Sequence, residues 1–201
     1  MSQSITRTIG RLMTLCVVAF GLAGCGIINA IPTQDEQVKA AWSEVLNQYQ
    51  RRADLIPNLV NTVKGYAKQE ETVLREVTEA RAHATQMTIP ADILTNPQKF
   101  HEFEQNQAAI SGALGRLLAV SENYPDLKSN QNFLALQAQL EGTENRIAVA
   151  RRDYIEAVQR YNTTLRTIPS RWIAAIFYPD AKPRETFTIS EKAQQAPTVQ
   201  F

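Results

Sequence analysis

Apolar residues recur along this chain at alternating steps of four and three, and the longest such stripe begins at Val38. It passes through Trp42, Val45, Tyr49, Arg52, Ile56, Leu59, Val63, Tyr66, Glu70, Val73, Val77 and Ala80 to Ala84, with Arg52 and Glu70 its only charged members. A period of about 3.5 residues held for this long is the seam of a helix packed lengthwise against other helices. A second run opens at Asn96-Pro97, with asparagine suited to the N-cap and proline to the first helical position. Its stripe is Phe100, Phe103, Gln107, Ile110, Leu114, Leu117, Ser121 and Tyr124, and Pro125 ends it. A polar turn through Asp126, Lys128 and Ser129 leads into a third run: Phe133, Leu136, Leu140, Thr143, Ile147, Ala150, Tyr154, Ala157, Tyr161, Leu165 and Ile168, stopped by Pro169. The predicted fold class is all-α, with Tyr49, Tyr66, Tyr154 and Tyr161 among the core residues.

The first run is too long for the other two to cover end to end, and Val38, Trp42, Val45 and Tyr49 need a partner. Pro57 offers one resolution. It has no N–H for the carbonyl of Ala53 and its ring crowds that group, at a cost of about 3 kcal/mol inside a helix, so the helix must kink or break there. A break, with Asp54 capping a new helix, yields two helices that complete a four-helix bundle. A kink leaves a rod whose lower part packs on the carboxyl-terminal segment. At the start of the run, Thr33-Gln34-Asp35-Glu36 reads as a capping box. At the far end, Arg171 to Tyr178 is a compact apolar stretch expected to dock as one or two helical turns. Pro179-Asp180-Ala181-Lys182-Pro183 is a turn, and Phe187 and Ile189 alternate with threonines in an extended piece.

The amino terminus changes the picture from a free bundle to an anchored one. Arg7 and Arg11 precede an apolar run of 12 residues, Leu12 to Ala23, shorter than the roughly 20 that span a bilayer and suited to a signal-peptide core. Leu22-Ala23-Gly24-Cys25 resembles a bacterial lipobox, which implies cleavage before Cys25 and acylation of its sulfur. Each buried acyl CH₂ contributes about 0.8 kcal/mol, so several chains give stable anchoring. Gly26, in place of the aspartate that favours inner-membrane retention, points to the outer membrane of a two-membrane envelope. The expected organisation is a signal peptide over 1–24, a lipid-attached tether over 25–32, a helical domain over 33–190 and a frayed tail over 191–201.

Charge and candidate chemistry narrow the function by what they leave out. With Arg7 and Arg11 removed, 19 of the 21 basic residues face 20 acidic ones, which indicates neither nucleic acid nor an anionic surface as a partner for the domain as a whole. Cys16 leaves with the signal and Cys25 takes lipid, so no disulfide or thiol ligand is expected. No G-x-S-x-G, H-E-x-x-H, Walker or dinucleotide-binding glycine pattern occurs, and no cofactor is expected. His83 and His101, near facing helix ends, could hold a metal with Glu102 or Glu104, but two surface histidines are the plainer reading. The most pointed polar cluster is Arg51, Arg52, Asp54 and Asn58. It reads either as a recognition surface, with Arg52 anchoring a partner carboxylate, or as structure, with Arg52 and Glu70 pairing across helices with residues such as Glu144 or Arg151.

The blocks RRADLIPNLVNTVKGYAKQE at 51–70, TEARA at 78–82, YPDLKSNQNFLALQAQLEGTENRIAVARRDYIEAVQRYN at 124–162 and FYPDAK at 177–182 resemble the LemA family in order and over nearly the whole mature domain. The resemblance implies long antiparallel helices in an up-and-down four-helix bundle with a short docked carboxyl-terminal segment, and so favours the divided first run. Members commonly carry an amino-terminal membrane segment, which the lipobox here replaces. The resemblance brings no enzymatic activity or catalytic residue. The expected function is a non-catalytic scaffold or adaptor, anchored through Cys25 in the bacterial cell envelope and binding an unidentified envelope protein. A metal-dependent or hydrolytic enzyme using His83 and His101, and a purely structural lipoprotein, are the alternatives.

Overall fold

The three stripes fold as helices, and their residues form the core. The computed structural model describes the backbone of residues 2–188 and the side chains of 26 and 28–188. Among them the helices are α1 (Ser2–Tyr66), α2 (Glu71–Gln86), α3 (Pro97–Ser121), α4 (Pro125–Lys128), α5 (Gln131–Arg166) and α6 (Ser170–Phe177), with a 3-10 turn at Ile93–Thr95 and no strand. Asn96 caps α3 as its sequence predicts, its side-chain oxygen accepting from the N–H groups of Gln98 and Lys99. Asn130 does the same for α5 through Phe133 N–H.

Helix α5 runs antiparallel to α1, with Asn130 meeting Tyr66, Glu144 meeting Arg52 and Tyr154 meeting Trp42. The 36 residues of α5 match the stretch of α1 from Ile31 to Tyr66, so the two form a spine of about 54 Å. Helices α2 and α3 pack on each other, and α2 packs on α1. The upper core joins Ile56, Leu59 and Val63 of α1 to Leu74 and Val77 of α2, Ile110 to Leu117 of α3, and Phe133 and Leu140 of α5. The lower core is aromatic. Trp42 lies 5.1 to 6.2 Å, centroid to centroid, from Phe100, Phe103, Tyr154 and Phe187. Each such pair adds about 0.5–1.5 kcal/mol beyond the area it buries.

The first run divides, but not at Pro57. Helix α1 passes through Pro57 and ends at Tyr66, and α2 begins at Glu71. The carbonyl that Pro57 leaves without its helical donor is that of Ala53, and Arg81 of α2 donates to it from Nε at 2.8 Å. A buried carbonyl left unpaired costs about 1–3 kcal/mol, and this side chain removes the penalty. The turn falls instead two residues after Gly65, which is about 1 kcal/mol worse than alanine inside a helix. There Ala67 is buried, and Glu70 accepts a hydrogen bond from the Tyr124 hydroxyl at 3.0 Å.

Three further expectations are corrected. No helix starts at Thr33, because α1 already runs through Pro32. Ile31, 2% exposed in the lower core, holds the residues before that proline in helical register, and Glu36 pairs with Lys39 instead of closing a capping box. Tyr66, expected in the core, is 43% exposed at the last residue of α1, where no helix covers it and its hydroxyl accepts from Asn130. Ile168 is also exposed, because it follows the end of α5.

The expected docked segment has two parts. Helix α6 touches α1 and α5, with Ala174 buried. Residues 181–188 then run as a strap without regular structure back across the lower bundle. Tyr154 donates to the carbonyl of Glu185 at 2.7 Å, and Glu185 N–H donates to the carbonyl of Leu94. Phe187 enters the aromatic core. Both resolutions of the long first run are thus partly realised: a turn makes the fourth helix, and the strap covers the lower stripe. The predicted frayed tail at 191–201 lies outside the described residues, as does Ile189.

Candidate functional site

Where the upper and lower cores meet, a polar layer crosses the bundle. Arg52 is 1% exposed at this level, among the largest fully buried side chains. Its Nη1 donates to the Ser111 hydroxyl at 2.7 Å and to Glu144 at 3.1 Å, and its Nη2 donates to the side-chain and main-chain oxygens of Gln107 at 2.7 and 3.2 Å. The guanidinium also lies 5.0 Å from the Tyr49 ring centroid. Burying an arginine is tolerable only with such a set of acceptors. One group on each of α1, α3 and α5 must align for it to form, so the layer sets the register of the spine against α3.

A cleft of about 620 Å³ opens beside this layer, lined among others by Tyr49, Arg52, Glu104, Ser111, Glu144 and Arg151. Glu104 organises its lower edge. It accepts from Thr188 N–H at 3.2 Å and lies 4.0 Å from Arg151, whose guanidinium sits 4.2 Å from the Phe187 ring centroid. Burial pushes the Tyr49 phenol up from its ordinary value, so it faces the cleft as a neutral group. Alternating carboxylates and guanidiniums on apolar walls can receive a polar peptide segment or hydrogen-bond a small ligand.

Below it, Arg184 on the strap binds Asp35 on α1, with Nε donating at 3.0 Å, while the Asn162 side chain of α5 bonds both the N–H and the carbonyl of Arg184. Burial pushes the Asp35 carboxyl up, but hydrogen bonds from Arg184 and Lys39 outweigh it and hold the group below the usual carboxylate range. Burial raises the Tyr161 phenol above its ordinary value and raises that of Tyr154 well above it.

The structure separates the four residues singled out in the sequence. Arg52 points inward to Glu144, the structural alternative, and is unavailable as a surface anchor. Arg51, Asp54 and Asn58, with Pro57, are exposed on the outer face of α1, where Asp54 accepts from Gln50 at 2.8 Å. His83 is exposed on α2. His101 is exposed on α3 beside Gln105 and Glu104, and among the described residues no group of three His, Cys, Asp or Glu is placed to hold a metal. The Cys25 side chain lies outside the described residues, and no helix among the described residues is long and apolar enough to cross a membrane. Arg81 and Arg184 escaped the sequence reading, and Glu104 entered it only as a possible metal ligand, not as a partner of Arg151 and Thr188. The signal for Arg81 was the carbonyl that Pro57 leaves open, but its donor sits 28 residues from Ala53 along the chain.

Residues 41–201 match the family model described as LemA family. Magnetosome protein MamQ 1 and Magnetosome protein MamQ 2 of Paramagnetospirillum magneticum are each 28% identical to this chain over 181 residues. Magnetosome protein MamQ of Magnetospirillum gryphiswaldense is 23% identical over the same length. Each match takes in 82% of this chain and 66% of the relative, so the chain spans just under two thirds of those proteins' length.

Proposed function

Because this chain belongs to the LemA family, matching its model over residues 41–201, we propose that it is a lipid-anchored protein of the bacterial cell envelope that works as a scaffold for another protein rather than as an enzyme. The observation that carries the reading is the continuity of α1, which runs past Cys25 and through the bundle to Tyr66. A helix rises about 1.5 Å per residue, so an acyl chain on Cys25 would hold the α1–α2 turn about 60 Å from the bilayer surface. Such a pillar can present a fixed face to a partner. The relatives are named for the magnetosome rather than for a reaction, which fits a protein that organises others.

On this reading the partner meets the exposed edge of α1 formed by Arg51, Asp54 and Asn58, while Arg52 keeps the pillar in register behind it. The membrane is the outer one, and the bundle faces the periplasm or the exterior. Two experiments test the proposal. Radiolabelled palmitate should enter the native chain and not Cys25→Ala, which should also leave the mature membrane fraction. Photo-crosslinkers at 51, 54 and 58 should capture one discrete envelope protein in intact cells, and the adduct should vanish in Arg51→Ala/Asp54→Ala while the helical circular dichroism persists. Label in Cys25→Ala would refute the anchor, and the absence of any adduct from a folded protein would refute the scaffold.

A further inference from the structure

Helix α6 docks through Ala174 but leaves its larger apolar side chains at Trp172, Ile176 and Phe177 open. Ile168, Trp172 and Ile176, spaced four apart, are 64%, 60% and 72% exposed, and Phe177 beside them is 58% exposed. Trp172 and Ile176 share a face of α6, since positions four apart do, while Ile168 lies just before the helix, ahead of Pro169. A single exposed apolar residue is ordinary, but four within ten residues mark a contact surface.

The position of α6 indicates what covers it. Helix α5 runs down α1 toward its amino end, so that Asn162 and Asp35 meet through Arg184, and Arg166 closes α5 one turn farther on. Helix α6 follows at that pole and touches α1, and its buried Ala174 shares the lower core with Ile31. Cys25 stands six residues before Ile31 on the same continuous helix, about 9 Å away along its axis. Charge agrees with position. From Ala157 to Pro179 the chain carries Arg160, Arg166 and Arg171 and no acid, and residues 26–34 of α1 carry no charge. A short helix with tryptophan, isoleucine and phenylalanine exposed and arginines at its margins has the composition of a segment lying in the headgroup layer of a membrane.

We infer that α6 is an interfacial helix that seats Ile168, Trp172, Ile176 and Phe177 in the surface of an anionic bilayer, fixing the tilt of the bundle on its anchor. The inference rests on the anchoring proposed above. With a single flexible attachment the pillar could lie down on the membrane; with α6 as a second contact at the same pole it stands.

The two tryptophans provide the test, since Trp42 is 6% exposed in the core and Trp172 is open to solvent. The acylated full chain is reconstituted in vesicles of phosphatidylethanolamine and phosphatidylglycerol whose acyl chains carry bromine, and its fluorescence is compared with that in unbrominated vesicles. Emission from Trp172 should shift to the blue and be quenched about twofold or more, and Trp172→Phe should remove the quenching, leaving only Trp42. Ile168→Glu/Ile176→Glu, at exposed positions that leave the core intact, should weaken the quenching while the protein still floats with the vesicles. A floating protein whose Trp172 is unquenched would overturn the inference and leave the anchor standing. Failure of the native chain to float would overturn both. A blue-shifted Trp172 without lipid, in a particle of twice the chain mass, would assign the surface to a second copy instead.

Discussion

At the scale of single residues, two arginines decide how this chain tolerates what its sequence makes difficult. Arg81 supplies the donor that Pro57 withholds from Ala53. Arg81→Ala should therefore cost about 1–3 kcal/mol in chemical denaturation. In Pro57→Ala, where the backbone N–H of residue 57 returns to that carbonyl, the same change should cost markedly less, so the double-mutant cycle should show coupling. Arg52 poses the opposite problem, a buried cation that several oxygens must satisfy. Arg52→Ala should lose about 3–5 kcal/mol, whereas Arg52→Met combined with Gln107→Leu should recover most of that stability, because the buried amide goes with its donor, Ser111 still donates to the Gln107 carbonyl, and Glu144 reaches water. Asp35 has a pH signature. Its carboxyl is held below its ordinary value near 4, so its stabilising contribution is complete above that pH and is lost as pH falls through the depressed folded value. The stability gap between the native chain and Asp35→Asn should accordingly shrink as a denaturation series moves below about pH 4.

At the scale of elements, helices were legible wherever an apolar stripe was long and its ends carried their own signals. Asn96-Pro97 marks the start of α3, and all seven stripe residues from Phe100 to Ser121 are buried. The α1–α2 turn was not legible, because the strongest local breaker, Pro57, is neutralised by a side chain on another helix and the actual turn contains neither proline nor glycine. The strap was legible only as an extended piece. Its role depends on Tyr154, Asn162, Asp35 and Leu94, none of which is near it in the chain. Phe187→Ala should cost about 3–5 kcal/mol by emptying a site among the rings of Trp42, Phe100 and Tyr154. Hydrogen exchange should then show the loss first in the lower halves of α1 and α5, with the upper core keeping more of its protection.

At the scale of the whole molecule, the polar layer divides one bundle into two cores with different partners. The upper core is closed by α2 and α3. The lower one draws on the aromatic start of α3, the strap and α6, and lies at the pole nearest Cys25. A protein built this way couples the amino-terminal half of α1 to the strap, since Arg184 grips α1 only ten residues beyond Cys25. The candidate surface at Arg51, Asp54 and Asn58 sits just above the boundary, on the outer side of the layer that sets its register.

The sequence by itself determined the all-helical class, the three stripes and the cap at Asn96, because these depend on periods and neighbours within a few residues. It also carried the family through its long blocks. Only the tertiary structure decided where the first run turns, that Arg52 faces inward while Arg51, Asp54 and Asn58 face outward, and what covers the lower stripe. Each of these depends on which distant group meets an open carbonyl, a buried guanidinium or an uncovered ring, and the chain brings those groups together only by folding.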